Sequence, residues 1–145
     1  MAITQAIANA FKKQLLEGDQ NFASGGDKFK LALYTSSATL NSATTAYTTS
    51  QEVSDSGTYA AGGGDLTGQN TSIASGVAIV DFADLSFTGV TLTARGALIY
   101  NTSSAVTNAA VAVLDFGADK TATSGTFTVQ FPAATTSAAI LRISG

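Results

Sequence analysis

The chain has 145 residues, the length of one ordinary domain, with seven basic against ten acidic side chains and a net charge of −3. Cys, His and Trp are all absent, which excludes disulfides, thiolate or imidazole metal sites and every nucleophile activated by histidine. Charged residues make up 12% of the chain, about half the usual share of a soluble domain, and the few Lys and Arg are scattered, so the clustered cations of a nucleic-acid binder are missing.

Residues 1–18, MAITQAIANAFKKQLLEG, are apolar at their start, but Lys12 and Lys13 follow the apolar run instead of preceding it. No export signal is expected from that order, and the chain is expected to be made in a cytoplasm. No stretch approaches the roughly 20 continuous apolar residues of a membrane helix. The longest, Ala109 to Phe116, is interrupted by Asp115. Ile3, Ala6, Ile7, Ala10, Phe11 and Gln14 share one side of a 3.6-residue wheel opposite Gln5, Asn9 and Lys12, and Gly18 supplies a stop. The spacing predicts one amphipathic helix over about residues 3–17.

Beyond Gly18 the period changes to two. Phe29, Leu31 and Leu33 alternate with Lys30, Ala32 and Tyr34, and Phe127, Val129 and Phe131 alternate with Thr126, Thr128 and Gln130, the pattern of half-buried strands. Val77–Phe82, Arg95–Tyr100 and Ala109–Phe116 are apolar on both alternating faces, which predicts interior strands. Ala138–Ser144 closes the set, and Pro132 ends the strand before it. Turn-forming clusters lie between the runs: Ser24–Asp27, Gly62–Asp65, Ala74–Gly76, Thr102–Ser104 and Thr123–Gly125. Ser36 to Ser50 reads as a long surface loop with a weak strand, anchored by Leu40 and Tyr47. The pattern predicts a mainly β chain, an antiparallel β-sandwich or barrel over residues 27–145 with an N-terminal helix over 1–18, forming a single domain over 1–145.

Few residue groups invite chemistry. Asp115, Gly117 and Asp119 have the look of a cation loop, but Lys120 and Thr121 follow with no Glu to close it, so a strand end and a polar turn is the better reading. Asp81, Asp84 and Asp115 offer loose carboxylates for a glycosidase, with nothing to set their separation. Arg95, between apolar strands, calls for a carboxylate partner in Asp81 or Asp115, or else anchors an interface. Gly62–Gly63–Gly64–Asp65 lacks the Lys-Ser/Thr of a phosphate loop and reads as a flexible turn. Lys12, Lys13, Lys28 and Lys30 read as a solvated face, and Leu16 either packs on Phe22 or is exposed for a partner. Four tyrosines, Tyr34, Tyr47, Tyr59 and Tyr100, are the aromatic candidates for a glycan platform, although only Tyr47 and Tyr59 look loop-borne. No catalytic residue, cofactor or metal site is expected.

Read end to end, the phrases ITQAIANAFKKQLLEG, FKLALYTSSATL, TARGALIYN, AVAVLDFGADKTATSGTFTVQFPAA and AILRI resemble the capsid decoration, or cement, proteins of tailed bacteriophages. Phe87 stands where relatives would carry Trp, a change an apolar slot accommodates. The resemblance implies a single antiparallel β-sandwich (jelly-roll-like) and a structural virion protein, a homo-oligomer (dimer or trimer) on the outer capsid surface that bridges neighbouring major capsid protein subunits. It implies no enzyme activity and no nucleic-acid or membrane partner. A tail- or fibre-associated module that binds host glycans is the alternative.

Overall fold

The computed structural model describes residues 2–132, 135 and 138–144. The chain is mainly β, with two antiparallel sheets in a β-sandwich and one short helix. In chain order the elements are β1 (Ala6–Ile7), α1 (Asn9–Leu16), β2 (Phe29–Tyr34), β3 (Gly64–Asp65), β4 (Asn70–Ala74), β5 (Val77–Asp81), β6 (Leu85–Asn101), β7 (Ala109–Val129) and β8 (Leu141–Ile143). The larger sheet runs β1-β7-β6-β2-β3 and the smaller β4-β5-β8.

The helix is shorter than its wheel suggests, because residues 3–7 are spent on strand contacts. Ile3 bridges Leu40 in parallel, and Ala6 and Ile7 pair with Val113 and Ala112 of β7. The same apolar positions reach the same core from either conformation, so periodicity alone could not separate them. The helix stops as Gly18 implies. Gly18 takes φ +82°, its amide donates to the Leu15 carbonyl, and the Asp19 amide donates to the Gln14 carbonyl, the paired bonds of a Schellman cap. Phe11 carries the buried face onto Phe22, edge to face at 5.8 Å, and Phe22 stacks on Phe29 at 4.5 Å. The helix therefore docks on its own sheet, while Leu16 stays exposed.

β2 is more deeply placed than a half-buried strand. Ala32 and Tyr34 are buried along with Phe29, Leu31 and Leu33, since β6 flanks one edge of the strand, β3 and residues 51–53 flank the other, and the loop over 35–60 meets the Tyr34 hydroxyl at Thr48. That loop is pinned by isolated bridges in place of a strand, with Leu40 buried and the Tyr47 amide donating to the Asn108 carbonyl.

The hairpin of β6 and β7 organises the molecule. Its first half, Gly96–Asn101 with Ala109–Asp115, lies within the larger sheet. Its second half, Leu85–Ala94 with Lys120–Val129, continues as a ribbon beyond the reach of β1 and β2. Two of the expected turns prove to be bulges inside β7. Ala94 pairs with Lys120 but Gly96 pairs with Asp115, so two steps along β6 span five along β7. The surplus residues loop out at Gly117, whose φ is +81°. Thr123–Gly125 is likewise a bulge, with Ser124 at φ +45° and its amide donating to Thr91 Oγ1. Bulges demand the same left-handed residues as turns, but bend a strand without ending it. Gly62–Asp65 also departs from a plain turn: Gly64–Asp65 is β3, with Asp65 opposite Lys30. At Gly63, φ +84°, a side chain would collide with the Leu31 carbonyl, so only glycine fits.

Candidate functional site

Two of the four tyrosines donate to one carboxylate, and the other two bond to backbone carbonyls. Glu52, at the end of the 36–50 loop, accepts the Tyr47 hydroxyl on Oε1 at 2.5 Å and the Tyr59 hydroxyl on Oε2 at 2.7 Å, and the Gly62 amide also donates to Oε2 at 2.8 Å. The Tyr59 oxygen in turn accepts the Leu33 amide, Tyr100 donates to the Gly62 carbonyl, and Tyr34 donates to the Thr48 carbonyl. Tyr47 stacks on Tyr100 at 4.7 Å, and Tyr59 meets Phe87 edge to face. The rings of Tyr34, Tyr59 and Tyr100 are buried, so the cluster faces the core and forms no exposed platform. Burial pushes all four phenols above their ordinary value, Tyr100 to about 12, with the Glu52 charge adding to each. This arrangement ties the long loop to β2, β3 and β6. The sequence presents the four tyrosines but gives no sign of Glu52 as the acceptor shared by Tyr47 and Tyr59, because it sits in a polar stretch with no pattern.

A second polar network closes the far end of the sheet. Asn101, fully buried, donates from its side-chain amide to Gln20 and to Asp27, and its oxygen accepts the Ser103 and Ser104 amides. Gln20 passes the chain of bonds to buried Gln14 on α1. Every member is satisfied, which is what makes such burial tolerable.

Arg95 finds the partner its position demands. Its Nε donates to Asp115 Oδ1 at 3.0 Å, and both side chains are half-buried. The Gly117 amide and the guanidinium hold the Asp115 carboxyl below its usual range. Asp115 thus fastens its own bulge. The other carboxylates serve local ends: Asp84 accepts the Phe131 amide, and Asp81 closes β5 opposite Asn70. Asp84 adjoins Leu85 while Asp115 pairs with Gly96, a separation along β6 of roughly 35 Å at the usual rise per residue. A glycosidase needs its two carboxyl groups within about 10 Å. Among the described residues no three acidic side chains cluster as metal ligands would.

The feature best placed to meet another molecule is the outward face of the β6–β7 ribbon. Inward it buries Phe87, Val90, Leu92, Phe127 and Val129. Outward it exposes Ser86, Thr88, Thr91 and Thr93 on β6, and Thr121, Thr123, Thr126 and Thr128 on β7. Facing hydroxyls bond across the strands, Ser86 to Thr128 and Thr93 to Thr121, each at 2.9 Å. No charge lies in residues 85–94 or 121–130. The result is an uncharged face of short side chains, two pairs of which are bonded across the strands. An apolar groove of about 700 Å³ lies elsewhere, between α1 and the smaller sheet, lined by Phe11, Leu15, Phe22, Val80, Leu141 and Ile143 among others.

Compared with protein-family models, curated proteins and solved structures, the chain matches none.

Proposed function

We propose that the chain is a structural virion protein that decorates and cements the capsid of a tailed bacteriophage, bridging neighbouring major capsid protein subunits on the outer surface as a homo-oligomer. The observation that carries this reading is the hydroxyl ladder of the β6–β7 ribbon. Docking costs about 0.5–1.5 kcal/mol for each long side chain it immobilises, and Ser and Thr already bonded across a ribbon have little freedom left to lose. A neutral face also avoids the desolvation of charge. Each copy then contributes modest binding, and symmetry multiplies it across the shell. The resemblance of the sequence phrases to cement proteins points the same way.

The test is mechanical. Particles depleted of the chain are re-bound with purified protein and heated while genome release is followed. The reading expects re-bound particles to release at a higher temperature, and expects Thr88→Lys with Thr126→Lys, two exposed positions that leave the buried face and the cross-strand hydroxyl bonds in place, to abolish the gain. Release at the same temperature with and without the chain would overturn it.

A further inference from the structure

The outer edge of β4 is built to pair with itself. β4 and β5 are joined by Ser75 and Gly76, both at positive φ (+49° and +77°), with Ala74 opposite Val77. Two left-handed residues make this a type I′ hairpin, in which the residues flanking the turn exchange both hydrogen bonds. Alternation then turns the backbone groups of Ala74, Ser72 and Asn70 inward to β5, and those of Ile73 and Thr71 outward. β4 is an edge of its sheet, and among the described residues no backbone partner meets Thr71 or Ile73 on that outer side. Four strand-forming groups therefore stand open on a strand exposed from Asn70 to Ile73.

Natural edges of this kind are blunted by charge, proline or a bulge. Residues 66–80 contain no charged residue and no proline, and the register of β4 with β5 is unbroken. Neutrality is the property that singles out a second copy. A twofold axis sets each charge on an edge near its own duplicate, so a charged edge repels itself and a neutral one does not. Ile73 is 79% exposed and stands in one row with Ala78 and Ile143, itself 59% exposed. The neighbouring row on the same face is Thr71, Val80 and Leu141.

We infer that the protein dimerises through antiparallel pairing of β4 with β4 of a second copy, with Ser72 on the twofold axis and Thr71 opposite the partner's Ile73. This register alone uses all four outward groups of each copy. It joins the two smaller sheets into one of six strands, and it lays Ile73 of each copy beside Thr71 of the other. The row Leu141, Val80, Thr71 then runs on through Ile73, Ala78 and Ile143 of the second copy, covering the most exposed apolar side chain of the sheet. The inference deepens the oligomer in the proposed function by naming its contact, but solution mass tests it without any particle, so either can fail alone.

Sedimentation velocity at ~100 μM protein, a concentration that populates even a weak dimer, is expected to give twice the chain mass for the native protein. Ile73→Pro removes only an outward amide, and Ile73→Lys places like charges across the axis. Both are expected to sediment as monomers that still unfold cooperatively, with melting like that of the native protein once it is diluted to monomer. Because the chain has no Cys, Ser72→Cys supplies a single thiol at a non-hydrogen-bonded pair, where Cα atoms approach to about 4.5 Å, within disulfide range. Mild oxidation is expected to convert it to a covalent dimer, while Asn70→Cys stays monomeric under the same treatment. A native protein that sediments as a monomer, a dimer indifferent to both Ile73 variants, or a Ser72→Cys chain that fails to cross-link would each overturn the inference.

Discussion

Replacing Glu52 with Ala removes the acceptor shared by the Tyr47 hydroxyl, the Tyr59 hydroxyl and the Gly62 amide. The three donors are not equivalent. Tyr59 is 1% exposed, and a buried hydrogen bond to a charged group contributes about 1.5–3 kcal/mol net. Tyr47 and Gly62 are half-buried, so water replaces much of what they lose, at about 0.5 kcal/mol each. The total is about 3 kcal/mol, which for a chain of this size lowers Tm by roughly 10 °C. Glu52→Gln keeps one oxygen but turns an amide toward the second pair of donors, and is expected to fall between the two. Thermal unfolding followed by tyrosine fluorescence, unobstructed by Trp, measures both variants. A drop of less than about 2 °C for Glu52→Ala would refute the idea that this carboxylate ties the loop to the sheet.

Four further outcomes follow from the same geometry. Asp115 has a lowered carboxyl pKa in the folded state, so its contribution is present at neutral pH and lost as pH falls below about 4; urea titrations should show a steeper acid loss in the native protein than in Asp115→Asn. The four phenols are raised by folding, so stability should hold up to about pH 10 and then fall by up to ~1.4 kcal/mol per pH unit for each tyrosine, with phenolate absorbance appearing only on unfolding. Gly63→Ala places a methyl against the Leu31 carbonyl in a left-handed conformation and should cost about 4 kcal/mol or more, or prevent folding, as soluble yield and denaturant midpoint will show. Deleting residues 1–17 strips Phe11 from Phe22 and β1 from β7 and should abolish cooperative unfolding by calorimetry, whereas a deletion that still melts sharply would contradict the docking of the helix on its own sheet.

The sequence made the type of each long element legible, and less of how the elements end. Alternation at Phe29–Tyr34 marks a strand because its period is two, and the apolar run at Ala109–Phe116 marks one because it is too short for a buried helix and carries β-branched and aromatic residues. Gly18 marks the helix stop because its conformation admits few alternatives. The start of the helix was hidden, since Ile3, Ala6 and Ile7 satisfy a helical wheel and a strand contact alike. The reach of β7 was hidden too: Gly117 and Ser124–Gly125 carry turn chemistry, and only the pairing partner across the hairpin decides whether such residues end a strand or bulge it. Arg95 with Asp115 was readable because a guanidinium between apolar strands has few possible partners. Glu52 was not, because nothing in its polar stretch marks the acceptor, and only the fold brings the Tyr47 and Tyr59 hydroxyls and the Gly62 amide to it. The hydroxyl ladder lay in plain view as alternate Thr along two segments, but its meaning required knowing that those segments pair.

The central claim, that this chain cements a phage shell, is tested most directly by cryo-electron microscopy of native particles with the protein's copy number counted by quantitative mass spectrometry. The account predicts a lattice-wide number of copies on the outer surface, each with its β6–β7 ribbon laid across a junction between major capsid protein subunits. A handful of copies confined to the tail or to one vertex would contradict it.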